Sequence, residues 1–370
     1  MRILLISFVA MALACSSDDT GSGDAAGVAI DANPSEVSTI ISVGGDFSGN
    51  GVLTVVQLPS MRVTVNAVVG VAGGDPVLRA LGDKLVVLDR FGGDTVTVLN
   101  RDLQLVGQAS TGPGSNPQDA AIVGDSLFVV LYGTSKVIRF NLLDLSAGVQ
   151  AEVDLSRLDS DGNANCASIF AVGQKLFVTC QLLKPDFSAR GPGVITVVDV
   201  ASESIETTIE LQAANPVSFL KQDPGGDLLV STVLSPLGFD PQAKGSGCVE
   251  RIETSPPRVL PCELTNRELG GYANEIAAGA GSVYFVKSIA FGLASLHELK
   301  DGVLQELKLP GLGDDLAGVA VCPNGALVVS DNTVGARGLR VYSGDDLSGG
   351  ELLDVGWPTV AFPTNGTICW

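Results

Sequence analysis

Charge is scarce in this chain. Only 17% of its 370 residues are Asp, Glu, Lys or Arg, against roughly a quarter in an average globular domain. Basic residues are the scarcer sign, 22 against 41 acidic, giving a formal net charge of −19 and a pI near 4.3. A surface so short of Lys and Arg is unsuited to neutralising phosphates, which argues against a nucleic-acid partner. The single histidine, His297, excludes a multi-histidine zinc site and leaves one imidazole for general-base work. It lies between Leu296 and Glu298 in an alternating segment, where a solvent-facing strand residue is expected. No CxxCH haem site is present. Nor does any apolar run free of charges and turn residues reach the ~20 residues a membrane-spanning helix needs.

Glycine and apolar residues are plentiful instead. There are 45 glycines, 45% of residues are hydrophobic, and mean hydropathy is +0.35. That composition excludes global disorder and favours many short strands joined by tight turns.

The first residues read as an address. Met1-Arg2 precedes an apolar run, Ile3 to Ala14, followed by Cys15-Ser16-Ser17-Asp18-Asp19. One positive charge, a short apolar stretch and small residues before a cut are the marks of a secretory signal. Residues 1–14 are therefore expected as signal peptide. Residues 15–36, rich in Ser, Gly and Asp, are expected as a flexible acidic tether.

Beyond the tether a repeat begins. Gly82-Asp-Lys-Leu-Val-Val-Leu, Gly124-Asp-Ser-Leu-Phe-Val-Val, Gly173-Gln-Lys-Leu-Phe-Val-Thr, Gly225-Gly-Asp-Leu-Leu-Val-Ser, Gly281-Ser-Val-Tyr-Phe-Val and Asn324-Gly-Ala-Leu-Val-Val-Ser align without gaps. Each follows an apolar run (Val77–Leu81, Ala120–Val123, Ser168–Val172, Val217–Leu220, Ile276–Ala280, Gly318–Val321), so each predicts a tight hairpin. A third, alternating strand and a fourth, more polar strand follow in every copy. The second strand recurs at 85, 127, 176, 228, 283 and 327, in steps of 42, 49, 52, 55 and 44. Four strands per ~45 residues is the β-propeller period. The predicted fold is all-β: a seven-bladed β-propeller of four-stranded antiparallel blades over 37–370. Six blades lie near 75–115, 116–164, 165–214, 215–273, 274–314 and 315–357. The seventh is a composite of 37–70 and 358–370, which removes the free sheet edges. In it Pro358–Phe362 is expected innermost and Thr39–Val43 second, although Gly366–Trp370 also fits the second slot.

Two resemblances follow from these residues. Ala14-Cys15-Ser16-Ser17-Asp18-Asp19 resembles the lipobox of bacterial lipoproteins. The resemblance implies acylation of Cys15, palmitate among the acyl groups, a membrane partner through that anchor, and an outer-membrane address, periplasmic or surface facing. Leu127-Phe-Val-Val and Gly193-Val-Ile-Thr-Val-Val-Asp199 resemble the YVTN-type and NHL-type propellers over about 37–370. That supports a fold and implies little about activity.

Seven cysteines leave an even number once Cys15 is acylated. Cys166 and Cys180 flank Gly173 at −7 and +7, and Cys248 and Cys262 flank Ser255 in the same way. Both pairs fall opposite each other on neighbouring antiparallel strands. Elimination then pairs Cys322 with Cys369.

Candidate site residues come from position in the repeat. The residue preceding each innermost strand is Asp75, Asn116, Asn165, Asn215, Asn274 or Asp315, with Trp357 in the composite blade. These would ring one mouth of the central channel, fit for an ion or a hydroxylated ligand. Turn chemistry also enriches Asx there and is the favoured explanation. On the same face the loops Leu182–Pro192, Leu234–Ser246 and Ser288–Leu293 are long and carry Phe187, Leu237, Phe239 and Phe291, an expected recognition surface. Asp159, Asp161 and Asn163 resemble the opening of a DxDxDG loop, a candidate for calcium or another divalent cation. However, Ala164 and Phe170 occupy positions where that loop needs Gly and Glu. The expected function is a membrane-tethered, monomeric binding module for a protein or glycan rather than an enzyme. The alternative is a metal-dependent lactonase or esterase at the channel mouth, with Asp331-Asn332 nearby.

Overall fold

A computed structural model describes residues 39–223, 225–235, 240, 245–279, 281–290, 292–343, 346–358 and 367–370. Seven separate antiparallel sheets follow one another along the chain. Blade 1 combines Thr367–Cys369 with Thr39–Gly45, Gly51–Gln57 and Arg62–Thr64. Blades 2 to 7 each order their strands as the chain does, innermost first. They begin at Pro76, Pro117, Cys166, Lys221, Tyr272 and Leu316. The innermost strands of blades 1 and 7 touch, which closes the ring.

The second strands are apolar on both faces because each sheet is covered on both faces. In blade 2, Leu85 and Val87 turn toward blade 1, while Val86 and Leu88 turn toward blade 3. The described core accordingly divides into seven apolar clusters, one in each gap between neighbouring blades. The outermost strands show the opposite pattern: Leu105–Ser110 and Ser204–Glu210 are mostly exposed, as a rim should be.

All three expected disulfides are present, Cys166–Cys180, Cys248–Cys262 and Cys322–Cys369. Cys166 and Cys180 are direct partners in the ladder, as the symmetric spacing about Gly173 required.

Four local expectations are corrected. The innermost strand of the composite blade is Thr367–Cys369, not Pro358–Phe362, of which 359–362 lie outside the described residues. Ile368 fills the blade 1–2 core, and the Cys369 disulfide ties the strand to blade 7. In blade 5 the innermost ladder is Lys221–Gln222 rather than Val217–Leu220. There Ser218 Oγ accepts the Ser231 N–H at 2.8 Å, and the Leu220 N–H bonds Ser168 of blade 4 at 2.9 Å. In blade 6, Ser288–Leu293 is not a long loop, because the hairpin ladder runs on to the pair Ala290·Leu293. His297 is buried rather than solvent-facing.

The closing strand has only three residues, so its disulfide should matter most. In the chain-entropy account, a crosslink spanning 47 residues is worth about 4 kcal/mol and one spanning 14 about 3 kcal/mol. Replacing Cys322 and Cys369 by Ala should lower Tm by on the order of 5–10 °C. The Cys166/Cys180 double variant should lose less, since its strands stay paired. Calorimetry under non-reducing conditions would show the order.

Candidate functional site

The ring of Asx residues has a backbone role that repeats in five blades. Asp75, Asn116, Asn165, Asn215 and Asp315 each precede the innermost strand, and each uses its carbonyl to close the hairpin. The donors are Arg90 at 3.0 Å, Tyr132 at 3.1 Å, Gln181 at 3.1 Å, Val233 at 3.2 Å and Asn332 at 2.7 Å. Asn116, Asn165 and Asn215 are left-handed, with φ of 49°, 52° and 52°, a conformation that Asn tolerates better than most residues. The favoured turn explanation therefore accounts for these three. Asn274 does not belong with them. It lies inside the strand Tyr272–Gly279 at a bulge, and Tyr272, paired with Ser288, takes the ring position. Trp357 is buried in the core between blades 7 and 1, its indole flat against Gly44, where a Cβ would come within 2.4 Å.

The side chains at this mouth form a buried polar belt. Asp75 accepts from Arg90 Nη2 at 2.6 Å. Arg90 Nη1 reaches Gln118 at 3.3 Å, and Gln118 donates to Asn116 at 2.7 Å. Tyr132 donates to Gln181 at 3.1 Å, and Gln181 donates to the Pro216 carbonyl at 3.0 Å. Asn165 Oδ1 accepts the Leu183 N–H at 3.0 Å. Sequence reasoning named the Asx members, and Asn332 near the mouth, but missed the partners Arg90, Tyr132 and Gln181. The signal was available, because each partner is the residue just after a second strand.

Below the mouth the channel is filled by charge. Arg79 of blade 2 donates to Asp119 of blade 3 at 2.5 Å and lies over the Phe219 ring of blade 5 at 3.7 Å. Asp119 also accepts from Ser168 Oγ at 2.8 Å, Ile169 N at 2.9 Å and Ala120 N at 2.8 Å. Lys221 of blade 5 faces Glu275 of blade 6 at 3.8 Å. All four charged side chains are buried. Burial pulls the Lys221 amine down to about 8, against the pull of Glu275. The quartet uses two steps of the repeat, the cations facing Val86 and Leu229 and the anions Val130 and Val286, and only two blades carry a charge at each step.

The divalent-cation candidates are engaged by protein groups. Arg190 bridges Asp159 at 2.9 Å and Asp161 at 2.7 Å, and Asn163 Oδ1 accepts from Ser135 at 2.9 Å. Asp331 accepts from Arg340 at 2.7 Å and from the Gly313 and Thr333 N–H groups. Among the described residues, no three of His, Cys, Asp and Glu gather as a metal site. Ser295 Oγ lies 3.0 Å from His297 Nε2, but Nδ1 has no hydrogen-bond partner, so no third group orients the imidazole.

The same face carries exposed apolar side chains where second strands pass into third strands, on loops and, in blade 6, on the hairpin strands themselves. They are Phe91 in blade 2, Phe187 in blade 4, Leu234 in blade 5, Ile289 and Leu293 in blade 6 and Val334 in blade 7. Phe187 tips a tight turn in which Phe187 N bonds Lys184 O at 2.8 Å. Leu237, Phe239 and Phe291 lie outside the described residues. On the opposite face the turns carry Asp83, Asp125 and Gln174, and the exposed apolar residues there are Leu143 and, at the starts of outermost strands, Leu105, Val149 and Val303.

No family model matches this chain, and no curated protein matches it. Solved structures do. Kuenenia stuttgartiensis hydrazine synthase aligns with a TM-score of 0.56 at 15% identity, covering 83% of this chain and 95% of that one. Virginiamycin B lyase from Staphylococcus aureus aligns at 0.53 and 13%, covering 76% and 85%. The β-propeller domain of Cps50 (Swd1) from Myceliophteria thermophila aligns at 0.52 and 13%, covering 80% and 91%. At such identities the likeness is one of fold, the seven-bladed β-propeller, which serves catalysis and interaction alike.

Two expectations concern stability. Asp119→Asn leaves Arg79 buried without its counter-charge and should cost about 3–5 kcal/mol in urea unfolding. His297 is pulled from its ordinary 6.5 to about 4, by burial first and by the Lys287 charge second. The unfolded chain therefore takes up that proton at higher pH than the folded one. Its contribution should be flat above about pH 6.5 and fall as pH drops toward 4. His297→Gln should flatten that limb, read as the difference between wild-type and variant stability at each pH.

Proposed function

We propose that this chain is an envelope-anchored interaction module that presents its loop face to another protein. The observation that carries the reading is the set of exposed apolar tips on one face: Phe91, Phe187, Leu234, Ile289, Leu293 and Val334. Large apolar side chains held out on loops cost solubility unless something covers them. The polar groups of the mouth beneath them are mostly engaged with one another, which favours an occupant resting on the tips. A protein suits this surface better than a glycan. Sugar faces are usually met by exposed Trp or Tyr rings, whereas Tyr272, Tyr284, Tyr342 and Trp357 are all buried and Tyr132 and Trp370 are partly so. The lactonase alternative gains no supporting observation, since the carboxylates it would use are occupied by Arg190 and Arg340.

Acylation of Cys15 after removal of residues 1–14 would supply the anchor, with 15–36 as tether. The topology supports a useful orientation. Thr39 starts its strand at the hairpin-turn end, while the other end of that strand leads into the 46–50 loop on the apolar face. A tether joined at Thr39 attaches at the end opposite the tips and leaves them accessible.

Two experiments test this. Cys15→Ser should release the protein from membranes or block its processing, and a variant that remains anchored and correctly trimmed would sink the lipoprotein reading. A photo-crosslinking residue placed at Phe187 should yield a protein adduct in intact envelopes, and one placed at Asp83 should not. Leu234→Ser should cut that adduct several-fold without moving Tm. Equal adducts from both faces, or none, would remove the assignment.

A further inference from the structure

Six of the seven blades end in an outermost strand that carries charge: Arg62 in blade 1, Glu152 in blade 3, Glu206 in blade 4, Arg258 in blade 5, Glu306 in blade 6 and Glu351 in blade 7. Charge on an open edge discourages another strand from pairing with it. Blade 2 is the exception. Its outermost strand, Leu105–Ser110, holds neither charge nor proline. It pairs with Thr95–Leu99 on one side and with no described strand on the other. The ladder shifts once, at Val106, and is regular from Gly107 to Ser110. Gly107 lies against Leu145 of blade 3, whereas Leu105 and Val106 are 61% and 42% exposed.

The start of this strand is tied to the residue where the tether joins. The Trp370 N–H donates to Thr39 O at 2.8 Å, and the Trp370 indole N–H donates to Arg101 O at 3.0 Å. Arg101 lies in the turn that leads into Leu105, closed by the Leu103 N–H on Asn100 O at 3.0 Å. One residue thus bridges Thr39 and the beginning of the open edge. Between residues 15 and 38 the sequence holds one apolar run, Ala25-Ala26-Gly27-Val28-Ala29-Ile30, set between Asp24 and Asp31. In an extended chain Val28 and Ile30 fall on the same side. Residues 31–38 can span up to about 30 Å, and a four-stranded blade is only about 15 Å across.

We propose that residues 25–30 of the same chain add to Leu105–Ser110 as a further, antiparallel strand of blade 2. Polarity sets the direction. The edge runs from the hairpin-turn end at Leu105 to the mouth end at Ser110, which is in line with Thr95, Asp89 and Pro76 across the blade. An antiparallel neighbour finishes beside Leu105, so Ile30 arrives at the end where Thr39 begins, and 31–38 close the gap. A parallel neighbour would leave Ile30 at the far end. Main-chain bonds supply the affinity, and Leu105 and Val106 give Val28 and Ile30 apolar cover. The covalent connection keeps the run at an effective concentration of about millimolar, so a weak pairing suffices. Docking leaves only 15–24 between anchor and propeller and holds blade 2 toward the bilayer. That consequence rests on the anchor reading, whereas the pairing itself does not.

The test is hydrogen exchange on the full processed chain in detergent, read by mass spectrometry over 25–31. These amides should exchange at least tenfold more slowly than in a free peptide of the same sequence. Val28→Pro with Ala29→Pro removes a ladder donor, since of two successive N–H groups in a strand one faces the neighbour. Leu105→Lys puts a charge on the edge at an exposed position. Each variant should restore the peptide rate at unchanged Tm. Ile205→Lys, on the outermost strand of blade 4, should leave the protection in place. Direction is read by oxidation. Ile30→Cys with Leu105→Cys should close an intrachain disulfide at least tenfold faster than Ile30→Cys with Ser110→Cys. Missing protection, protection that survives the proline or Leu105→Lys variants, protection lost equally in Ile205→Lys, or a faster Ser110 pair overturns the proposal. An interchain disulfide would give the edge to a second copy and overturn it as well. Residues 25–30 remain whether or not Cys15 is acylated. If Cys15→Ser stays anchored, the lipoprotein reading falls, and this inference is decided by the exchange alone.

Discussion

Ring closure is the constraint on which the rest depends. Each sheet is apolar on both faces, so each needs a neighbour on both sides, and a row of blades would leave two faces bare. The three residues Thr367–Cys369 resolve this by joining Thr39–Gly45 at the inner edge of blade 1. Ile368 then packs toward blade 2, and Cys369 is bonded to blade 7. A short strand gives few ladder bonds, and the disulfide compensates by shrinking the freedom of the open chain.

Closure also dictates what happens at the axis. Strands brought together around a ring converge there, and the centre must be filled or wet. This chain fills it with Arg79, Asp119, Lys221 and Glu275, arranged so that each cation reaches the next blade along. Such pairs contribute little net stability, but breaking one leaves a bare buried charge. They also fix the order and spacing of blades 2, 3, 5 and 6. With the axis occupied, the exposed apolar side chains of the mouth face, Phe91, Phe187, Leu234, Ile289, Leu293 and Val334, lie outside it at the rim.

The two ends of the propeller are chemically different for a local reason. The hairpin end uses tight turns such as Gly82-Asp83 and Gly124-Asp125, two-residue corners taken by glycine and an exposed acid. The other end joins second to third strands by segments of varied length, and there the sequence is free to carry apolar tips. The buried belt beneath them, from Asp75 to Asn332, gives those segments a rigid floor.

Much of this was legible in the sequence, because a repeat makes one local pattern visible many times. The Gly-turn hairpins, the blade count, the polar outer strands and two of the disulfides follow from short-range spacing, such as Cys166 and Cys180 about Gly173, and the third, Cys322–Cys369, by elimination. The exposure of Phe187 was also legible, since a bulky residue in a Pro- and Gly-rich loop has little core to enter. Tertiary structure decided the contacts between residues far apart in the chain. Nothing local says that Arg190 will occupy Asp159 and Asp161, that Arg79 will cross to Phe219, or that Thr367–Cys369 will outcompete Pro358–Phe362 for the inner edge. His297 was misread as exposed because alternation along a strand marks two faces but not which of them a neighbouring blade will cover.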